Sequence, residues 1–100
     1  RMKVGAAVVT CRRSGNTATM DQLNKFFTIN EMPVVSSQYW NNVHGFSAED
    51  VEKDLEGLQT MRTLARNMAF MMRAIAAEKG KNGLPVEEAE HMSTSFPDGK

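Results

Sequence analysis

The sequence predicts a mixed α/β fold in which two parallel strands flank a helix and a long helix closes the chain. Three observations carry this expectation. Lys3 to Thr10, KVGAAVVT, is a short and nearly continuous apolar run, the pattern of a strand buried on both faces. Past Thr17 the apolar residues change to helical spacing, with Met20, Leu23, Phe26 and Phe27 close to one face. A second valine-containing run, Met32 to Ser37, follows directly. Strand, helix and strand in so short a stretch form a right-handed parallel crossover.

The first strand ends at Arg12 and Arg13, and the polar, glycine-containing segment Cys11 to Thr17, CRRSGNT, has loop composition. Thr17 or Thr19 is the expected N-cap of the following helix, with Asp21 in its first turn against the positive end of the dipole. That helix should run to about Ile29. Pro33 is tolerable only at the start of the second strand, which is read as MPVVSS. Gln38 to Gly45, QYWNNVHG, is then a loop holding the only Tyr and the only Trp. Ser47 with Asp50 resembles a capping box opening a helical stretch that breaks near Asp54 to Gly57. Leu58, Met61, Ala65, Met68, Met72 and Ile75 form one apolar seam on the long helix, and Gly80 is its expected C-cap. The expected domain spans 1–80, and 81–100 is a polar tail with a short helical turn at Val86 to His91.

Lys plus Arg and Asp plus Glu each number 12, so the net charge is zero, against the clustered cationic excess of nucleic-acid and anionic-membrane binders. The longest apolar stretches fall far short of the ~20 residues that cross a bilayer. One cysteine, Cys11, permits no internal disulfide and no cysteine metal cage, and His44 and His91 have no ligand spacing. With no signal core at the N-terminus, the expected compartment is the cytoplasm.

The segment with chemistry is Thr10 to Thr19, TCRRSGNTAT, between the carboxyl end of a parallel strand and a helix N-terminus, the edge where open α/β sheets bind ligands. Its hydroxyls, its glycine, its two guanidiniums and the free helix amides suit an anionic or polar cofactor edge. An ordinary βα turn has the same composition. Neither the dinucleotide fingerprint nor a Walker lysine is present.

KVGAAVVTCRRSGNTATMDQLNKFF, followed by MPVVSSQYWNNVHG and DLEGLQTMRTLARNMAFMMRAI, resembles the C-terminal half of the NADPH-dependent FMN reductase family, over residues 3 to 77. The resemblance implies a flavodoxin-like doubly wound parallel sheet in three α/β/α layers, of which this chain supplies two strands and the final helix. It implies an oxidoreductase with non-covalent FMN and NAD(P)H as co-substrate, working as a homo-oligomer. It also implies that the N-terminal half of the fold, with its phosphate loop, is a missing partner, so that this piece alone is inactive. The alternative is a non-enzymatic flavodoxin-like assembly or electron-transfer module. The implied cofactor contacts are Cys11, Arg12, Arg13, Ser14, Gly15 and Asn16, many through backbone amides. No side chain is nominated as catalytic acid or base, because the flavin carries the chemistry. A competing register takes Arg12 or Arg13, then Gly15, Asn16 and Thr17, as the phosphate loop itself; the single strand, long helix and polar tail that follow favour the C-terminal half.

Of the remaining residues, Tyr39 and Trp40 suit covering a flavin ring or packing in an interface. His44 reads as a loop hydrogen-bonder. The methionines of the long helix read as core or subunit contact. Arg62, Arg66 and Arg73 do not add up to a nucleic-acid face at zero net charge.

Overall fold

The computed structural model describes residues 1–95; the end of the polar tail, 96–100, lies outside the described residues. The elements are β1 (Val9–Cys11), α1 (Asn16–Ile29), β2 (Asn42–His44), α2 (Ala48–Val51) and α3 (Leu55–Asn82). β1 and β2 pair in parallel, with Val9 opposite Asn42, Thr10 opposite Val43 and Cys11 opposite His44. Upstream, Gly5 and Val34 form a further parallel bridge. The mixed α/β class and the parallel crossover therefore hold.

The second strand is placed differently from the expectation. Met32 to Ser37 contributes only the bridge at Val34, and β2 forms inside the stretch read as the Gln38 to Gly45 loop. Between the two contact points the first strand advances four residues and the second advances eight. The surplus forms an arch over 36–41. It is stitched to α3 by Asn67 Nδ2 donating to Ser36 O (2.8 Å), Ser37 Oγ donating to Thr60 O (2.7 Å) and Thr63 Oγ1 donating to Gln38 Oε1 (2.8 Å). At its end, Asn41 Nδ2 donates to Ala7 O at 3.0 Å, a buried amide replacing a ladder bond.

The helix limits also differ. Gly15, at φ 86°, caps α1 in a left-handed conformation that glycine adopts without Cβ strain. The helix therefore starts at Asn16, with neither Thr17 nor Thr19 as N-cap and with no acidic residue in its first turn. Its far end, Ile29, falls where expected. Ser47 caps α2 through Asp50 N–H, and the break before α3 is real, because Asp54 caps α3 through Gly57 N–H. α3 passes through Gly80 and ends at Gly83, whose φ of 78° marks the true C-cap. No helical turn forms at 86–91. The buried face of α3 is Gly57, Thr60 and Leu64, one position off the expected seam, of which Leu58, Met61, Met68 and Ile75 are half-buried and Ala65 and Met72 exposed. Among the described residues no helix is long and apolar enough to cross a membrane.

Lys3 to Thr10 is not buried on both faces. α1 packs on β1 and α3 on β2. Val8 is left 52% exposed. A Cβ on Gly5 would run into the Phe27 ring, so this glycine is what lets α1 approach the strand. Among the described residues the buried apolar side chains are Ala7, Met20, Val35, Val43 and Leu64, a thin core. The radius of gyration is 18.1 Å, against about 13 Å for a compact chain of this length.

Along the first strand, Gly5 and Val9 bond toward the second strand: Gly5 N–H to Pro33 O (2.9 Å) and Val9 N–H to Asn41 O (3.0 Å). Val4, Ala6 and Val8 face the other way, with no backbone partner among the described residues. This alternation has a measurable consequence. Val9→Pro loses an internal bond and is expected to cost roughly 2 kcal/mol more than Val8→Pro, which removes only an outward donor. Paired urea melts of the two variants check the difference.

Candidate functional site

The carboxyl end of the sheet gathers three element ends: the β1–α1 loop, the end of β2, and the start of α3. A chain of polar contacts joins them. Asn16, the first residue of α1, is buried, and its Nδ2 lies 3.0 Å from His44 Nε2 at the end of β2. Asn16 Nδ2 donates to Nε2 in the imidazole tautomer that carries its proton on Nδ1. Nδ1 faces Asp54 Oδ2 at 3.6 Å. The same carboxylate accepts His44 backbone N–H at 2.8 Å and, through Oδ1, Gly57 N–H at 2.9 Å.

The His44 N–H, and after it the Gly57 N–H, hold the Asp54 carboxyl below the ordinary 3.8 of aspartate, against a small opposing effect of burial. The imidazole adds attraction when charged. His44 acts here as the hydrogen-bonder that the sequence suggests. The sequence reading missed that Asn16 and Asp54 are its partners. An aspartate three residues before a glycine at a helix start was the available signal for the Asp54 cap.

The six expected cofactor contacts divide into two groups. Arg12, Arg13, Ser14 and Gly15 are exposed on the loop at the carboxyl edge. Cys11 belongs to β1 and is half-buried, and the Asn16 side chain is committed to His44, leaving its backbone as the available donor. The Arg12 guanidinium lies 4.8 Å from the centre of the exposed Phe46 ring, bringing the loop after β1 against the loop after β2. α1 has no side-chain N-cap, so the first amides of the helix are turned to the same edge without a side-chain acceptor. Exposed guanidiniums, unfilled amides and an aromatic face together suit a planar, electron-rich group with oxygen or nitrogen acceptors on its rim. Tyr39 and Trp40 sit on the arch, away from this edge.

Two outcomes test the junction. Because the folded pKa of Asp54 is depressed, its stabilisation is complete above about 3.8 and fades as pH falls through the lower folded value. Asp54→Asn should flatten that acid limb in a stability-against-pH series, and Asp54→Ala should cost about 1 kcal/mol at pH 7 as a lost cap. Gly57→Ala, normally stabilising within a helix, should instead destabilise by roughly 1 kcal/mol, since its Cβ would meet the Asp54 carboxylate and Asn42 O. Compared with protein-family models, with curated proteins and with solved structures, the chain gives no match.

Proposed function

We propose that this chain is the flavin-facing C-terminal half of a flavodoxin-like, FMN-dependent NAD(P)H oxidoreductase. The carrying observation is the Cys11 to Asn16 loop. It leaves the carboxyl end of a parallel strand, turns through left-handed Gly15 and enters a helix whose first amides lack a side-chain cap. In this reading FMN supplies hydride and electron transfer between NAD(P)H and an acceptor. The chain's own residues bind and orient it: amides of Ser14, Gly15 and Asn16 donate to acceptors on the cofactor, and Arg12 and Arg13 offset negative charge. The Asn16–His44–Asp54 contacts keep the helix start from shifting. The resemblance over residues 3 to 77 supports this assignment.

The outward amides of Val4, Ala6 and Val8 support the other part of the reading, in which further strands of the same sheet dock on this edge and bring the phosphate loop. Two strands alone are too few for an independently stable sheet. The thin core fits that view.

The test is an FMN titration followed by flavin fluorescence, on these 100 residues and on the complete gene product. Strong quenching is expected only with the complete product, in which Arg12→Ala should weaken FMN binding by about tenfold without lowering the melting temperature. A complete product that is colourless and indifferent to FMN would refute the flavin assignment. Sub-micromolar binding by the 100 residues alone would move the phosphate to Gly15, Asn16 and Thr17.

A further inference from the structure

The two sides of α3 differ in chemistry. Gly57, Thr60 and Leu64 are buried toward the sheet, where the helix packs on β2. Arg62 and Arg66 lie two positions to either side of Leu64, which in a helix is the opposite face. Arg73 stands in the same relation to the half-buried Ile75. All three arginines are exposed, and Phe70, between Arg66 and Arg73 on that face, is 64% exposed. No carboxylate stands three or four positions from any of the three, and among the described residues none of them joins an ion pair. A solvated helix face is commonly laced with charges of both signs. This one is a row of unbalanced guanidiniums with an aromatic ring in it.

The opposite surplus is in the tail. Gly83 to Ser95 holds Glu87, Glu88 and Glu90 with no lysine or arginine, forms neither helix nor strand, and is exposed throughout. Val86 and Met92 are 97% and 98% exposed. Drawn out as a strand, this segment brings Val86, Glu88, Glu90 and Met92 to one side at steps of about 6.7 Å. Arg62, Arg66 and Phe70 follow one another along α3 at steps of about 6 Å. We infer that the tail of a second copy of this chain docks on the outward face of α3. Glu88 and Glu90 pair with Arg62 and Arg66, and one apolar end of the segment covers Phe70. A chain's own tail cannot make the contact. Arg1 donates to Pro85 O and approaches Glu87 Oε2 at 4.0 Å, beside Met68 and Ile75 on the sheet-facing side. Glu88 is one residue further, at most about 3.6 Å of chain, against a helix about 10 Å across. Zero net charge leaves no general repulsion between copies. Each copy carries both surfaces, so a reciprocal exchange of tails closes a two-fold dimer. The outward face of α3 is turned away from the sheet, so the contact is independent of the flavin reading.

Sedimentation velocity over a range of protein concentrations tests the contact. The chain is expected to self-associate at low salt, and about tenfold more weakly near 0.5 M salt. Arg62→Glu/Arg66→Glu and Glu88→Arg/Glu90→Arg alter only exposed positions, and circular dichroism checks that both keep the fold. Each should weaken association by about tenfold. Mixed in equal amounts, the two reversed chains should associate again, since each offers the charge that the other lacks. Asp21→Arg/Glu52→Arg has the same net charge as the glutamate variant and should not restore association with the arginine variant. A chain that stays monomeric, loss with the arginine reversals but not with the glutamate ones, or equal rescue by the charge-matched control would overturn the inference. A monomer that instead floats with phosphatidylserine vesicles through Arg62 and Arg66 would also overturn it, assigning the row to a lipid surface.

Discussion

The Asp54 carboxylate is the contact on which the carboxyl end of this molecule depends. It closes the first turn of α3 through Gly57, fixes the end of β2 through the His44 amide, and faces the ring that receives Asn16. β2 and α3 are thereby joined through the Asp54 side chain, and the His44 ring carries the link on to α1. A carboxylate that accepts backbone N–H groups is worth more than an exposed ion pair, because its partners are already fixed by the helix and the strand. Gly57 completes the arrangement by having no side chain where the carboxylate sits. The loop that carries Arg12 and Arg13 springs from this rigid base, which gives an exposed, polar segment a defined place at the sheet's edge.

Much of the fold was legible in the sequence because its strongest signals are local. The helical period from Met20 to Phe27 gave α1, and the break before α3 falls in the expected stretch from Asp54 to Gly57. Parallel pairing followed from the short crossover. What was not legible depended on tertiary contacts. Asn42 to His44 has loop composition and becomes a strand only because β1 lies alongside and Asn41 reaches Ala7 O. Gly15 displaced Thr17 as N-cap because a left-handed turn, and not a hydroxyl, begins the helix. Gly80 sits within α3 because a glycine inside a helix stops nothing unless the chain turns there.

The candidate site shows the same division. The exposed loop 12–15 could be placed at the carboxyl edge from spacing alone, since any βα loop of a parallel sheet lies there. That Asn16 would spend its side chain on His44 could not, because those residues are 28 positions apart and meet only through the register of two strands. The ties of the arch to Thr60, Thr63 and Asn67 were equally hidden, because they join polar residues more than 20 positions apart.

The arch also separates two kinds of change to the chain. Its surplus of four residues is taken up in an irregular segment, on either side of which Val35 and Val43 are both buried. The facing of β2 is set by its own pairing with β1, so a residue added within the arch lengthens the arch and leaves that pairing intact. A slip of the pairing itself by one residue would instead turn Asn42, Val43 and His44 to the opposite faces and separate the imidazole from both Asn16 and Asp54. The distant carboxyl edge therefore depends on the register of the paired stretches and tolerates change in the span between them.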